Sequence, residues 1–239
     1  DLSHAIDADS DYTDAYLARA YLLFGLNDYP SVVDDLTRVI VLAPETPVAY
    51  NLRALSNYSL GRYDQAVADF ARTIAYGEAS FETYYYQGVC YFSLEKYEKA
   101  IQAWSQALEL ESENVALVVN RASTYLLLED LPNALADFQT ALELDPESSF
   151  AHQKMGDIYF QMEELDLALD SYSQAVIWDD SNLSAFFNLG VIQFQLEQHQ
   201  EAIGSFQAAL ELDGANQAAH KRLADAYFTV GNYQQAVDE

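Results

Sequence analysis

The sequence has little of several things that whole protein classes require. One cysteine, Cys90, occurs in 239 residues, so an internal disulfide is impossible and a disulfide-stapled secreted domain is excluded. Only 11 residues are Lys or Arg against 38 Asp or Glu, which gives a formal net charge of −27. Nucleic acids and anionic membranes both bind clustered basic side chains, so we expect neither as a partner. No apolar run approaches the roughly 18–20 residues of a membrane-spanning helix, so we expect no membrane insertion.

Motifs for catalysis and cofactor binding are also missing. The sequence contains no G-x-x-x-x-G-K-[ST] or G-x-G-x-x-G loop to bind phosphates, and no H-E-x-x-H pair. The four His residues have no Cys or second His at a metal-ligand spacing. Cys90 has no His arranged with it, so we interpret it as a small core residue and not as a nucleophile. We therefore predict no catalytic residue, no cofactor and no metal, in a protein that is not an enzyme.

Apolar and aromatic residues, by contrast, are abundant. Hydrophobic residues make up 51% of the chain and aromatic residues 13%, far more than an acidic disordered segment carries. The chain is therefore expected to fold around a core in spite of its charge.

A period of 34 residues runs through the whole sequence. The segments "YEKAIQAWSQALEL" from Tyr97 and "LPNALADFQTALELDP" from Leu131 begin 34 residues apart. Small residues recur at the same interval, namely Ala20, Ala54, Gly88, Ala122, Gly156, Gly190 and Ala224. We predict six complete repeats, which span 13–46, 47–80, 81–114, 115–148, 149–182 and 183–216. Residues 1–12 are interpreted as a second-helix remnant of a preceding repeat and 217–239 as a truncated one, so we expect a piece of a longer array.

Each repeat is predicted to be a pair of amphipathic helices. Apolar residues recur twice per repeat at the i, i+3, i+4, i+7 spacing of one helix face. Pro30 and Pro132 stand where the second helix should begin, and Pro44 and Pro146 where it should have ended. We expect Gly88 and its equivalents where the two helices of a pair touch. Large residues such as Trp104 are expected to fill the space between repeats, because one pair cannot bury its apolar face alone.

This pattern resembles the tetratricopeptide repeat family. The resemblance is carried by the 34-residue period, the order of small and large residues, and the closing "LELDP" of Leu142 to Pro146. It implies an all-α, right-handed superhelical solenoid of antiparallel helix pairs, whose first helices line a concave groove. Members usually bind a peptide or another protein there, so the leading hypothesis is a non-catalytic protein–protein interaction scaffold. The alternative is a regulatory or substrate-docking region of a larger enzyme or assembly factor.

Two related specialisations fit the sequence less well. Pentatricopeptide proteins bind RNA, but their period is one residue longer and their groove is basic. One tetratricopeptide subclass holds the C-terminal carboxylate of chaperones with five polar residues. Asn188 and Arg222 match two of those positions, whereas Gln153, Asp157 and Ala218 do not, and Asp157 would repel a carboxylate.

The resemblance implies that the second, fifth, ninth and twelfth residues of each repeat line the groove. We expect the second to fourth repeats to take a helix or an extended segment through apolar contacts around Tyr85, Tyr86, Val89 and Phe92. The twelfth-position aromatic residues have the alternative role of packing against the next repeat. The candidate partner-binding residues, with some direct neighbours, are Leu17, Tyr21, Phe24, Asn51, Leu55, Tyr58, Tyr85, Tyr86, Val89, Phe92, Val119, Asn120, Leu126, Gln153, Asp157, Phe187 and Asn188.

Many acidic residues fall on second helices and turns, and their helical phase predicts that most face solvent. They are Asp34, Asp35, Asp64, Asp69, Glu98, Asp137, Asp166, Asp170 and Glu201. This surface would serve solubility, attraction of a basic partner, or adaptation to a salty medium. The partner is thus predicted to be a protein or peptide segment that is basic or apolar. Self-association through exposed repeat ends is a third hypothesis, and a cytoplasmic location is expected.

Overall fold

A computed structural model describes residues 2–239, which contain fifteen helices and no strand. Helix α1 (Leu2–Ala8) comes first and successive helix pairs follow. The pairs are α2 (Thr13–Gly25) with α3 (Tyr29–Leu42), α4 (Pro47–Ser59) with α5 (Tyr63–Ala75), α6 (Phe81–Ser93) with α7 (Tyr97–Leu110), α8 (Val115–Leu127) with α9 (Leu131–Leu144), α10 (Ser149–Gln161) with α11 (Leu165–Trp178), α12 (Leu183–Gln195) with α13 (His199–Leu212), and α14 (Gln217–Thr229) with α15 (Tyr233–Asp238). The predicted all-α class, with two helices per 34-residue period, is confirmed.

The chain divides into two compact units, Asp1–Leu117 and Val118–Glu239, which we call the first and second unit and describe separately. In each unit the core clusters join one helix pair to the first helix of the next. Leu36 of α3, for example, packs in one cluster with Leu52 of α4, and Phe206 of α13 packs with Leu223 of α14. Stacking of successive pairs therefore buries the apolar face that one pair leaves open.

The two helices of each pair are joined by a tight turn that contains one residue in the left-handed conformation. In the first pair Asn27 has φ 60°, and the N–H of Asp28 donates to the carbonyl oxygen of Leu23 at 3.0 Å. The left-handed residues of all seven turns are Asn27, Gly61, Glu95, Glu129, Glu163, Glu197 and Gly231. This bond pattern is the Schellman motif, which satisfies the last carbonyls of the first helix and reverses the chain.

Proline and aspartate define the start of two second helices. Pro30 and Pro132 are the second residues of α3 and α9, where a missing N–H leaves no helical bond unmade. The side chains of Asp28 and Asp130 accept hydrogen bonds from the backbone N–H groups three residues later and cap both helices. The predicted positions of these prolines are confirmed.

Glycine within a first helix marks close contact with a large ring on the second helix. A Cβ atom added at Gly156 would lie 2.8 Å from the ring of Tyr172, and one at Gly190 would lie 2.7 Å from the ring of Phe206. A Cβ at Gly88 would overlap Trp104 in the same way. The predicted role of these glycines is confirmed, but the large rings press first on the small residue of their own pair and do not only fill the space between repeats.

Six of the nine acidic residues on second helices and turns are exposed, as predicted for most of them, and three are buried. Asp35, Asp69 and Asp137 are only 5%, 6% and 7% exposed, whereas the other six are exposed. Each of the three accepts two hydrogen bonds from an arginine sixteen residues earlier on the first helix of its pair. Helical phase did not identify these three, which stay buried because a bidentate guanidinium compensates the loss of hydration of a carboxylate.

Candidate functional site

A connected set of aromatic rings lies on the first helices α4 and α6 of the first unit and at the start of α5. The ring centroids of Tyr58 on α4 and Tyr86 on α6 are 5.0 Å apart, and those of Tyr86 and Tyr85 are 5.1 Å apart. Phe81 stacks on Tyr85 at 5.8 Å, and Tyr63 lies 6.2 Å from Tyr58. We call these five residues the aromatic cluster. The structure thus brings together three of the predicted site residues, Tyr58, Tyr85 and Tyr86, from two successive repeats.

Three phenol groups of this cluster make no hydrogen bond to the described part of the protein. Among residues 2–239, the hydroxyls of Tyr58, Tyr85 and Tyr86 have no hydrogen-bond partner, although all three side chains are half-buried. Burial, and then the neighbouring phenols of Tyr86 and Tyr85, raise the pKa of Tyr58, so its hydroxyl stays protonated. The cluster therefore offers apolar ring faces together with hydrogen-bonding groups that a bound molecule can reach.

The other predicted residues of the first unit are divided between surface and core. Leu17 and Phe24 pack on the core cluster of the first pair, and Leu55 packs on that of the second. Tyr21 is 49% exposed and Phe92 is 38% exposed. Val89 and Asn51 are half-buried, so none of the ten predicted residues in this unit is fully buried.

Two twelfth-position aromatic rings, those of Phe24 and Phe92, each contact a ring in their own helix pair. The centroids of Phe24 and Tyr29 are 5.5 Å apart, and those of Phe92 and Tyr97 are 5.4 Å apart. Both pairs join the end of a first helix to the start of its second helix, beside the tight turn. These rings therefore stabilise the turn of the pair while one edge stays exposed.

The predicted binding residues of the first unit carry no charge. None of its ten predicted residues is charged, and four cations of the unit are bound in ion pairs elsewhere. These pairs are Arg19 with Asp35, Arg38 with Asp11, Arg53 with Asp69, and Lys96 with Asp64. A bound segment would thus meet aromatic and neutral polar groups here.

The predicted residues of the second unit are polar and bind one another. Asp157 accepts hydrogen bonds from the Tyr172 hydroxyl at 2.8 Å, from Lys154 Nζ at 2.9 Å and from Asn188 Nδ2 at 3.3 Å. Burial, followed by the carboxylate of Asp157, raises the pKa of Tyr172, which is 1% exposed. The carboxylate that would repel an anionic ligand is therefore already engaged by three donors.

Other predicted residues of this unit also have internal partners. Gln153 accepts a hydrogen bond from Asn182 at 3.0 Å, and the ring of Phe187 lies 5.9 Å from that of Phe206. Val119 and Leu126 pack on the core around Phe138. Asn120 is exposed. The structure therefore joins Gln153, Asp157 and Asn188 to their neighbours in polar contacts, and does not gather these residues into an apolar patch.

A hollow that the sequence analysis missed lies beside Asn51 in the first unit. Its volume is about 480 Å³. The residues around it come from α4, α5, the loop after α5 and the start of α6, and they are Pro47, Val48, Asn51, Thr73, Glu78, Ser80 and Thr83. The one sequence signal for it is Gly77, which stands at a loop position that carries no glycine in the other complete repeats.

Cys90, clusters of possible metal ligands and possible membrane-spanning helices are the remaining features to consider in the described residues. Cys90 is fully buried, and burial raises the pKa of its thiol to about 12, so the thiol stays neutral and sheltered. Within the described residues, no group of three or more His, Cys, Asp or Glu side chains is placed to hold a metal ion. None of the helices in residues 2–239 combines the length and the apolar character that crossing a membrane requires.

Comparison with protein-family models finds tetratricopeptide repeats along most of the chain. Five models described as tetratricopeptide or TPR repeats match residues 17–80, 81–114, 116–148, 156–197 and 193–239. A search of curated protein sequences gave no significant match.

Solved structures with the same fold are numerous, and three serve as examples. The C-terminal part of a TPR repeat-containing protein from Cytophaga hutchinsonii is 17% identical with a TM-score of 0.69, covering 93% of this chain and 89% of that one. MamA from Desulfovibrio magneticus is 18% identical with a TM-score of 0.61, over 72% of this chain and 97% of that one. YrrB, described as a TPR protein with an unusual peptide-binding site, is 17% identical with a TM-score of 0.55, over 91% and 95%. At these identities the likeness concerns the fold alone.

Proposed function

Because the chain belongs to the tetratricopeptide repeat family, we propose that it is a non-catalytic scaffold that binds a peptide or protein segment on the first helices of its repeats. The observation that carries this proposal is the aromatic cluster, with the unpaired hydroxyls of Tyr58, Tyr85 and Tyr86. Rigid aromatic side chains supply large contact areas at little cost in conformational entropy, which is why they dominate the energetics of protein interfaces.

The first unit is the better candidate for the binding surface. Its predicted residues are aromatic, aliphatic or amide side chains with exposed edges and no charge. The polar residues at equivalent positions of the second unit, such as Asp157 and Asn188, are engaged with one another. A ligand would have to break those contacts before it could use them, whereas the phenols of Tyr58, Tyr85 and Tyr86 have no partner among the described residues. The fold is compatible with this use, since YrrB is described as a peptide-binding TPR protein.

The chemistry of the surface defines the partner. A segment rich in apolar side chains, with backbone or side-chain groups that bond the phenol hydroxyls, suits the cluster. Acidic segments are disfavoured because the chain carries a net charge of −27. A basic segment would be attracted over longer distances, so its association rate should fall as salt is added. A docking role within a larger enzyme or assembly factor would use the same surface and the same kind of segment.

Selection of binding peptides from a phage-displayed library, with affinities measured by fluorescence anisotropy, tests the proposal. The double variant Tyr85→Ala with Phe92→Ala should weaken the selected peptides by tenfold or more. Tyr12→Ala is the matched control, because Tyr12 is 46% exposed and lies outside the predicted surface. Circular dichroism has to show that all variants are folded at the assay temperature, since the Phe92 ring also contacts Trp104.

Equal binding by the wild type and the double variant would show that the surface is wrongly placed. If no peptide is selected and the chain sediments as an oligomer at micromolar concentration, the surface is occupied by other copies of the chain and self-association replaces the proposal. Loss of binding in the double variant alone supports it.

A further inference from the structure

One junction between repeats differs from all the others. Helices α3, α7, α9, α11 and α13 have 14 residues each, whereas α5 has 13 and ends at Ala75. The chain then turns through Gly77, which has φ 82°, and the N–H of Glu78 donates to the carbonyl oxygen of Thr73. In the other complete repeats the residue aligned with Gly77 is Ala, Glu or Asp. This early helix end and the glycine turn are found at no other junction of the complete repeats, and they leave space beside Asn51.

That space is the hollow of about 480 Å³ beside Asn51. The wall contributed by α4 is apolar at Pro47 and at Val48, which is 39% exposed. The opposite wall comes from the loop and the start of α6 and includes Glu78. The volume is within the range of roughly 300–1,000 Å³ that small-molecule pockets have, so one long side chain fits easily.

The hydrogen-bonding groups around the hollow leave an unmet need for a donor. The Oδ1 atom of Asn51 is shielded from solvent and has no partner among the described residues. Two hydroxyl donors of the wall are already used, since Thr73 donates to the carbonyl oxygen of Asp69 and Ser80 donates to the carboxylate of Glu82. A buried carbonyl oxygen without a partner costs about 1–3 kcal/mol. A ligand in the hollow recovers that free energy once the Asn51 amide rotates to turn its oxygen toward the hollow that Asn51 lines.

The charge around the hollow favours a cation over an anion. Glu78 is the charged residue that lines it, and no Lys, Arg or His is among the lining residues. The N-terminus of α6 could attract an anion, but Ser80 caps it and Glu82 already places a carboxylate in its first turn.

We propose that this hollow is a subsite for one lysine or arginine side chain of the segment bound on the aromatic cluster. The methylene stem lies along Pro47 and Val48, and the cationic group pairs with Glu78. The Asn51 amide rotates on binding, so that its Oδ1 accepts a hydrogen bond from the cationic group. The inference rests on the proposed function, because the basic side chain belongs to the same bound segment. It adds one defined basic residue to a motif that is otherwise apolar.

The hollow can be tested without any peptide. The probe is n-butylammonium, which has the stem and head group of a lysine side chain, titrated into the ¹⁵N-labelled full chain and followed by amide chemical shifts. We expect saturable shifts for residues 47–51 and 73–83, and none with butan-1-ol or butyrate. Asn51→Leu, which introduces the residue type of Leu17 at the same position of the first repeat, and Glu78→Gln should each weaken the effect at least fivefold. Glu45→Gln is the control, because it removes one exposed acid from the preceding junction.

A second arm separates this inference from the proposed function. Acetylated decapeptide pools of Ala, Leu and Tyr carry a central Lys, norleucine or Glu, and their binding is compared. A preference for Lys of fivefold or more that disappears in Asn51→Leu supports the subsite. Equal binding of the Lys and norleucine pools, both abolished by Tyr85→Ala with Phe92→Ala, removes the subsite and leaves the scaffold function standing. If no pool binds, the scaffold function fails, and equal responses to n-butylammonium and butan-1-ol would overturn the subsite independently.

Discussion

Arg53 donates from Nε and Nη2 to the two carboxylate oxygens of Asp69, both at 2.7 Å, across the two helices of one pair. The third nitrogen, Nη1, donates to the hydroxyl of Thr37 on α3 at 3.0 Å. One arginine therefore connects the second helices of two successive repeats. Arg19 makes the same contacts with Asp35 and with Ser3 on α1. Hydrogen bonding to the aspartate raises the pKa of both arginines.

The sequence keeps both partners of this pair or neither. Repeats with arginine on the first helix have aspartate sixteen residues later. The complete repeats that lack it have Gln87 with Ala103, Met155 with Ser171, and Leu189 with Ser205. A lone buried carboxylate is far more costly than a compensated pair, which explains why arginine and aspartate are kept or lost together. The repeats that lack both therefore provide residue combinations for a mutational test.

Removing one member of the Arg53–Asp69 pair should destabilise the protein more than removing both. We expect Arg53→Leu alone to lower the free energy of unfolding by about 3–5 kcal/mol, because Asp69 stays buried without a partner. Arg53→Leu with Asp69→Ser, which copies Leu189 and Ser205, should cost less than about 1.5 kcal/mol. Urea unfolding of the single and double variants measures the coupling between the two residues.

Substitutions at an exposed ion pair are the control for the single and double variants of Arg53 and Asp69. Lys96 and Asp64 are 3.0 Å apart, with side chains 45% and 75% exposed. Replacing either should change stability by less than about 1 kcal/mol. If the Arg53 and Asp69 variants were additive, the buried pair would contribute no more than this surface pair, and the proposed connection between repeats would be wrong.

Gly88 on α6 and Trp104 on α7 form a second pair of residues whose sizes are complementary. Gly88→Ala should destabilise the protein by about 1–3 kcal/mol, because the new methyl group overlaps the indole ring. The change would also displace Trp104 Nε1 from the carbonyl oxygen of Tyr85, 3.2 Å away. Trp104→Phe with Gly88→Ala reproduces the Ala54 and Phe70 combination of the second repeat. We expect the double variant to melt at a higher temperature than Gly88→Ala alone.

Intrinsic helix propensity alone would predict that Gly88→Ala stabilises the protein. A loss of stability would therefore be evidence of the steric overlap with Trp104. Alanine is favoured over glycine inside a helix by about 1 kcal/mol when nothing obstructs it. At Gly204 on α13 a Cβ atom would meet nothing within 4 Å. Gly204→Ala should therefore stabilise the protein by up to about 1 kcal/mol, and a similar gain from Gly88→Ala would disprove the predicted close contact.

Most of the fold follows from the periodicity of the sequence, but the polar contacts between helices do not. The 34-residue interval is enough to place the helix pairs, the prolines and the small residues, because each follows from helix geometry and packing. Helical phase predicted that most acidic residues face solvent but did not single out Asp69 as buried, since it contains no information on a partner in another helix. The signal that was overlooked is the arginine sixteen residues before each of the three buried aspartates.

The candidate site was predictable to a smaller degree for a related reason. The family resemblance selected Tyr58, Tyr85 and Tyr86, which the structure brings together. It did not reveal the hollow beside Asn51, because that depends on where α5 ends and on the left-handed turn at Gly77. The backbone conformation at Gly77 changes the space between α5 and α6, and the pattern of residues along either helix gives no sign of that change.

Four of the tight turns hold a glutamate in a conformation that suits glycine. Glu95, Glu129, Glu163 and Glu197 have φ between 57° and 61°, where a side chain crowds the backbone. The equivalent positions of two other turns are Gly61 and Gly231. Glu163→Gly should raise the free energy of unfolding by about 0.5–1 kcal/mol by relieving that crowding. Chemical denaturation is the measurement, and the m-value should not change.

The reverse substitution provides the control. Gly61→Glu introduces the side chain that four other turns tolerate, so the protein should fold but lose about the same free energy. Glu98→Gly in the first turn of α7 is a second control, because glycine at a position with helical backbone angles should destabilise the protein by up to about 1 kcal/mol. A loss of stability in Glu163→Gly would show that the glutamate side chain contributes more at the turn than its backbone conformation costs.

The free energy of unfolding should fall steeply in alkaline solution, because burial keeps one thiol and several tyrosine hydroxyls protonated in the folded state. Burial raises the pKa of Cys90 to about 12, and it also raises the pKa of Tyr50, Tyr58 and Tyr125. In the unfolded chain the thiol loses its proton near pH 8.5 and tyrosine near pH 10. Between those values and the folded pKa, the unfolded state binds fewer protons than the native state. The free energy of unfolding therefore decreases with pH, by about 1.4 kcal/mol per unit for each such group.

Cys90→Ala isolates the contribution of the thiol, and alanine is the residue at the equivalent position Ala226. The stability difference between wild type and variant should be constant below pH 8 and should shift in favour of the variant between pH 9 and 12, because only the wild type retains the linked proton. Reaction of Cys90 with a thiol reagent at pH 8 should be as slow as global unfolding, since the sulfur is fully buried. Rapid labelling of the native protein, or a pH-independent difference between the two chains, would show that Cys90 is accessible to water and that its pKa is near the ordinary value.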